Sequence, residues 1–229
     1  MYDIRSWDTA YRREVTNFND HGDVGEVWFG EDSVDKMADW VETHIDDHTA
    51  PILDLGCGNG HLLLELAARE YTNLCGVDYS EPAIQLSRTI ANTQLGPRSP
   101  IRYHQLDLLD ERAVTEFLAD PFWTTTDKAR VVLDKGTFDA ISLGEAGSDA
   151  EMDPKRRYQR AVSRLLADGD DNDHRGVLLI TSCNWTQDEL IKLFSEQFEY
   201  HAHIRYPSFT FGGVQGQKIC TVAFVKRKP

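Results

Sequence analysis

The sequence predicts a doubly wound α/β domain. The expected core is a Rossmann-like, seven-stranded sheet, mostly parallel with an antiparallel C-terminal hairpin, and an N-terminal helical lid segment precedes it. Three observations predict this. Short apolar runs alternate with amphipathic stretches from Pro51 to Phe198, as β-α units feeding a parallel sheet do. The first unit carries the glycine loop "LDLGCGNGHLL" between its strand and its helix. Two final apolar runs flank the glycine-rich turn "FGGVQGQ" and read as a hairpin.

Taken in order, Ser6 to Asn19 is a helix, because Trp7, Tyr11, Val15 and Phe18 form one apolar stripe. "DHGDVGEVWFGED" follows, a glycine-flanked loop whose adjacent aromatics Trp28 and Phe29 suit a lid. A second helix runs from about Ser33 to Ile45, with Val34, Met37, Ala38, Val41 and Ile45 on one face. "PILDLG" is a strand and "HLLLELAARE" a helix. "NLCGVD" is a strand, and "SEPAIQLSRTIANTQ" a helix with Ser80 as N-cap and Pro82 in the first turn. "IRYHQLD" is a strand and "DERAVTEFLA" a helix. "RVVLD" is a strand ending at Asp134, after which "KGTFDAIS" makes the turn and the first helical residues. "PKRRYQRAVSRLLA" is a helix, "GVLLITS" a strand, and "TQDELIKLFSEQF" a helix opened by a Thr186-x-x-Glu189 capping box. The last strands are roughly Glu199 to Tyr206 and Lys218 to Lys226. "DPFWTTTDKA" and "DGDDNDHRG" are surface insertions. The second lacks the glycine and the final acid of an EF-hand loop and reads as a solvated acidic turn.

A chain of 229 residues fits one domain, with residues 1–49 as helices and lid and 50–229 as the core. Its net charge of -14 argues against nucleic acid or an anionic membrane as a partner and suits a basic one. The four cysteines have neither metal-ligand nor redox spacing, which points to reduced thiols in the cytoplasm or nucleus. The N-terminal stretch has no apolar signal core, and no run is long enough for a bilayer. His201 and His203 share one face of a strand but lack a third ligand, so no metal is expected. A monomer is expected.

The chemistry concentrates at the predicted C-terminal ends of the strands, the edge where parallel sheets bind ligands. Gly56, Gly58 and Gly60 let the chain turn sharply and let a ligand approach the following helix N-terminus. The spacing is G-x-G-x-G, with His61 where a dinucleotide fingerprint has its third glycine. Asp54, at the same mouth, would repel a pyrophosphate and favour a cation. Together these weaken a dehydrogenase reading and favour a positively charged nucleoside. Asp78 ends the second strand, placed for ribose hydroxyls, with Tyr79 beside it to cover an adenine face. Asp107 ends the third and is placed for an exocyclic amine. Asp134 ends the fourth, where it either orients a reacting group or caps the next helix. Asn184 and Trp185, after the fifth strand, line a channel for an aliphatic side chain, or Trp185 packs in the core.

With these motifs in place, the chain resembles the seven-strand S-adenosylmethionine-dependent methyltransferases, through "LDLGCGNG", "GVDYS" and "QLDLL". Its flanking stretches "SWDTAYRRE", "GDVGEVWFGE", "LDKGTFDAIS" and "ITSCNWTQDEL" are similar to those of the lysine methyltransferases of elongation factor 1-alpha. The resemblance implies that Asp54, Gly56, Gly58 and Asn59 surround the methionine part of S-adenosylmethionine. It implies Asp78 and Tyr79 on the ribose and adenine side, Asp107 and Leu108 by the adenine, and Asp134 at the edge of methyl transfer. It makes Trp28 and Phe29 part of a segment that closes over the cofactor. The reaction it implies is transfer of methyl to a lysine of elongation factor 1-alpha, leaving S-adenosylhomocysteine. The alternatives are a small-molecule methyltransferase on the same scaffold and a cofactor-binding module without turnover.

Overall fold

A computed structural model describes residues 4–120, 128–144, 153–169, 175–207, 209–211, 214–216 and 219–227. Much of the insertion at 120–129, of the acidic stretches at 143–154 and 168–176, and of the "FGGVQGQ" turn lies outside the described residues. In chain order the elements are α1 (Ile4–His21), α2 (Glu31–His44), β1 (Ile52–Leu55), α3 (His61–Ala68), β2 (Leu74–Asp78), α4 (Glu81–Leu95), β3 (Ile101–Gln105), α5 (Glu111–Leu118) and β4 (Val131–Lys135). They continue with α6 (Thr137–Ser142), α7 (Pro154–Leu165), β5 (Val177–Ser182), α8 (Gln187–Phe194), β6 (Phe198–Ile204), the short pair β7 (Phe209–Phe211) and β8 (Val214–Gly216), and β9 (Cys220–Lys226).

The main sheet has seven strands in the order β3-β2-β1-β4-β5-β9-β6. Pairing from β3 through β5 is parallel, and β9 runs antiparallel between β5 and β6. The hairpin expectation is met in this form: β6 is the edge, and the last strand inserts inside it. Strand β1 is all buried, as a parallel strand covered on both faces must be.

Side chains alternate between two cores. One face holds Ile52, Leu74, Ile101, Val131, Leu133 and Leu179 against helices α2, α3 and α4. The other holds Leu53, Leu55, Val77, Val132, Leu178 and Ile180 against α5, α6, α7 and α8. Helix α1 lies on the first face: its residues Tyr11, Val15 and Phe18 join that core, and it packs along α4.

Local chemistry fixes the helix starts. The Thr186–Glu189 capping box forms in both directions, and Asp110 and Asp153 cap α5 and α7 through their side chains. Ser80 stands at the N-cap of α4 but makes no side-chain cap bond; its N–H donates to Asp78 Oδ1 at 2.9 Å. The N-terminus of α4 is thereby tied to the end of β2. No helix among the described residues is long and apolar enough to cross a membrane.

Candidate functional site

The order of crossovers reverses between β1 and β4, and a cleft opens at such a point beyond the strand ends. The β1–α3 loop forms its floor. Gly56, Gly58 and Gly60 all have positive φ, at 61°, 54° and 78°, which L side chains rarely adopt. A Cβ at Gly56 would lie 2.0 Å from Thr137 Oγ1. That hydroxyl donates to the Leu55 carbonyl at 2.7 Å, so the turn after β4 is bonded to the end of β1.

Strand parity sorts the acids. Asp54 and Asp78 alternate with Leu53, Leu55 and Val77, and therefore share the face that carries Ile52 and Leu74. Asp78 is 5% exposed. Its Oδ2 accepts from Gly58 N–H at 3.1 Å and its Oδ1 from Ser80 N–H. Burial pushes its pKa up to about 6 against the pull of these N–H groups. Asp54 is 4% exposed, and burial pushes it up to about 7, with Lys135 pulling it down and Asp134 and Asp78 adding to the rise. Each carboxylate has lone pairs left for a donor-rich, cationic ligand. The residues present thus fit S-adenosylmethionine.

Lys135, on the same face as Asp54, ends β4 with its ammonium donating to the Trp28 carbonyl at 3.1 Å. Burial lowers its pKa, against the opposing pull of Asp54 and Asp134. The sequence reading gave this residue no role. The structure makes it a tie between the strand end and the segment that joins α1 to α2.

The lid segment is held at several other points. Asn59 Nδ2 donates to the carbonyls of Val24 at 3.0 Å and Glu26 at 3.3 Å. Its Oδ1 accepts from His61 N–H at the start of α3. Asn59, expected beside the methionine, also clasps the segment between α1 and α2. His61 Nε2 meets Glu31 at 2.7 Å. Phe29, with φ of 63°, sets its ring against Gly136, where a Cβ would come within 3.1 Å. Trp28 is 38% exposed and meets the Trp7 ring edge-on at 5.0 Å.

Asp134 is expected either to orient a reacting group or to cap the next helix. It is fully buried and lies on the opposite face from Asp54 and Lys135, in phase with Val132. Its Oδ1 accepts from Thr137 N–H at 2.9 Å and its Oδ2 from Phe138 N–H at 2.9 Å and Tyr158 hydroxyl at 2.5 Å. Both oxygens are committed to starting α6 and to α7. These bonds are the ones the capping alternative describes. Burial raises its pKa to about 7, while the Tyr158 hydroxyl and the two N–H groups pull the other way.

Beyond β5 the sequence reading missed Asp139. It is 5% exposed and accepts from the Ser182 hydroxyl and, at 2.8 Å, from Cys183 N–H. Ser182 Oγ in turn accepts from the N–H groups of Asn184 at 3.2 Å and Trp185 at 3.0 Å. Asn184 is exposed at the rim. Trp185 is half-buried, its ring 6.1 Å from Phe138 and its indole N–H on Ser142 at 3.1 Å. An acid set between Phe138 and Ala140-Ile141, five residues after Asp134, was the available signal.

Of the residues expected beside an adenine, Tyr79 is half-buried and Leu108 buried. Asp107 is exposed, and its Oδ1 accepts from Leu109 N–H at 2.8 Å, which shapes the loop after β3. His201 and His203 stay apart from all of this; His203 Nδ1 bonds the Tyr200 hydroxyl at 2.8 Å. Among the described residues no group of three or more His, Cys, Asp or Glu side chains could hold a metal ion.

A family model described as "Methyltransferase domain" matches residues 46–223. The chain is 38% identical to EEF1A lysine methyltransferase 2 of Homo sapiens, over 96% of this chain and 84% of that protein. It is 39% identical to protein-lysine N-methyltransferase EFM4 of Saccharomyces cerevisiae, over 96% and 92%. Among solved structures, a SAM-dependent methyltransferase from Anabaena variabilis superposes with a TM-score of 0.63 at 12% identity, covering 99% of this chain and 96% of that one. Magnesium protoporphyrin IX methyltransferase from Synechocystis, with bound SAM, gives 0.60 at 15% identity, covering 99% of both. The glycine loop, the paired strand-end acids and the strand order therefore have one common source, and the chain belongs to the family of S-adenosylmethionine-dependent methyltransferases.

Proposed function

We propose that this methyltransferase transfers methyl groups to the ε-amino group of a lysine in translation elongation factor 1-alpha. The observation that carries the reading is the extent of the similarity. Relatives named for this reaction, or for protein-lysine methylation, match over 96% of the chain, taking in the lid segment as well as the cofactor motifs. A net charge of -14 favours a basic protein surface as partner. In this reading residues 1–49 and 50–229 work as one domain, a monomer acting in the cytoplasm or nucleus.

Bound S-adenosylmethionine supplies a sulfonium methyl open to in-line displacement by a neutral amine. The chain's part is to bind, align and exclude water. Asp78 and Asp54 present carboxylates at the ends of β2 and β1, with Tyr79, Asp107 and Leu108 along the adenine side. Trp28 and Phe29 cover the site, held by Lys135 and Asn59. Asn184 at the rim meets the incoming side chain, and Asp139 sets the loop that carries it. A free lysine has a pKa of about 10.4, and exclusion of water beneath the lid favours its neutral form.

The test is peptide mass spectrometry of purified elongation factor 1-alpha after incubation with the enzyme and isotopically labelled cofactor. The expected result is label on one lysine. An unlabelled factor beside a different labelled protein in a lysate would overturn the substrate.

A further inference from the structure

Helix α1 turns a polar pair toward the cofactor loop. Tyr11 sets its hydroxyl over Gly58, where a Cβ would lie 2.7 Å away, and Gly58 N–H is bonded to Asp78. Asp8, one turn earlier on the same side of the helix, buries its Oδ1, and that oxygen has no hydrogen-bond partner among the described residues. A buried acceptor without a partner costs free energy that a ligand donor restores. Asp8 is also near enough to Asp78 to raise its pKa, and Asp78 in turn raises that of Tyr11 after burial. Two carboxylates and a hydroxyl thus gather above one loop, with more acceptors than donors.

The helix is fixed in this position by neighbours outside the cluster. Trp7 meets Trp28, and Glu14 accepts from Glu26 N–H. Its lower turns, through Val15 and Phe18, pack on the core. The pair therefore does not owe its place to a ligand and is preset to receive one.

We propose that Asp8 and Tyr11 form the second jaw of the ribose site, closing on the vicinal hydroxyls of S-adenosylmethionine from the side opposite Asp78. A diol brings two O–H donors. Asp78 Oδ1 and Oδ2, each already taking one N–H, have lone pairs for one of them, and the orphaned Asp8 Oδ1 takes the other. The Tyr11 hydroxyl both accepts and donates, and bridges the jaws. The inference concerns the cofactor alone, so its failure would leave the protein substrate untouched.

The test uses the full chain and two probes, S-adenosylhomocysteine and 5′-methylthioadenosine; the second has the ribose but no amino-acid end. In calorimetric titration Asp8→Asn is expected to bind both probes about tenfold more weakly. Tyr11→Phe should lose about threefold for both. Asp20→Asn, on the exposed side of the same helix, should leave both unchanged. Without a probe, Asp8→Asn should melt no lower than the parent, because it removes a like charge beside Asp78. Should it fail to fold, Asp8→Ser gives the same reading. Parental affinity for both probes would overturn the proposal. So would a loss confined to S-adenosylhomocysteine, which would place Asp8 on the amino-acid end.

Discussion

The Tyr158 hydroxyl donates to Asp134 Oδ2 at 2.5 Å, joining α7 to the carboxylate that caps α6. Asp134→Asn keeps one capping oxygen but turns an amide N–H toward the Phe138 N–H, so it should lower stability yet retain cofactor affinity and leave methyl transfer within about threefold of the parent. Tyr158→Phe removes a donor from a fully buried acceptor and should cost about 1–3 kcal/mol in denaturant unfolding. A dead but stable Asp134→Asn with normal S-adenosylhomocysteine binding would return this acid to the reaction.

Three buried carboxyls set the pH response of the ligand-free protein. Asp54 and Asp134 have folded pKa values of about 7, and Asp78 about 6, all above the ordinary 3.8. The folded state therefore holds protons that the unfolded chain has released. The stability these groups contribute is full below pH 4 and is lost as pH rises through 6 to 7. Exposed acids such as Asp47 and Asp168, whose pKa values are lowered by hydrogen bonds, act in the opposite sense but only near and below pH 4. His104 and His201, whose pKa values burial lowers, oppose this below their ordinary value of about 6.5; the three carboxyls outnumber them, so melting temperature between pH 5 and 7 should fall with rising pH, and Asp134→Asn should flatten that slope. An Asp134→Asn slope equal to the parent's would show that the carboxyl titrates at its ordinary value.

Lys135→Met and Asn59→Ala each remove ties to the lid while leaving its aromatics in place. Amide exchange over residues 24–30 should accelerate in both. Lys135→Met also strips Asp54 of its nearest opposing charge, so it should shift the pH dependence of cofactor binding where Asn59→Ala does not. Unchanged exchange in both variants would mean that Trp28 and Phe29 hold the lid by themselves.

Gly56→Ala places a methyl where Thr137 stands and demands a positive φ from alanine. It should destabilise by about 2–4 kcal/mol. Thr137→Gly should recover part of that loss, but not all, because the strained φ remains. Urea unfolding of both variants and their combination measures the split.

Asp139→Asn trades an acceptor for a donor facing Cys183 N–H and Ser182. Its effect should fall on the protein substrate: kcat/KM for elongation factor 1-alpha down about tenfold or more, S-adenosylhomocysteine affinity within twofold of the parent. Equal losses in both would assign Asp139 to general stability instead.

The order of strands and helices was legible because each apolar run is short, and each is bounded by a turn signal or a cap. The glycine loop and Asp78 were legible because they follow from one strand-turn-helix unit. The side of the sheet on which each acid lies was not read, although it was available. Asp54, followed by Leu55, and Lys135, preceded by Asp134, obey a two-residue period. Applied to β4, that period sends Lys135 to the cleft and Asp134 to the α7 side. Asn59 and Asp139 were harder. Their partners lie 35 and 44 residues away, in loops whose path no local pattern specifies. The same holds for Asp8, a polar residue beside an apolar stripe, which looks solvent-facing until α1 is laid over the loop.

The insertion of β9 between β5 and β6 imposes an order of assembly. Among the described residues β6 has no neighbour in the main sheet except β9, so β6 must wait, unpaired, until the chain beyond Cys220 has been made. The cofactor half, β1 to β4, pairs with no strand from that region and can form first. A ribosome stalled before Cys220 would thus carry a nearly complete binding cleft beside an exposed flank at β5. Chaperone capture of nascent chains should peak in that interval.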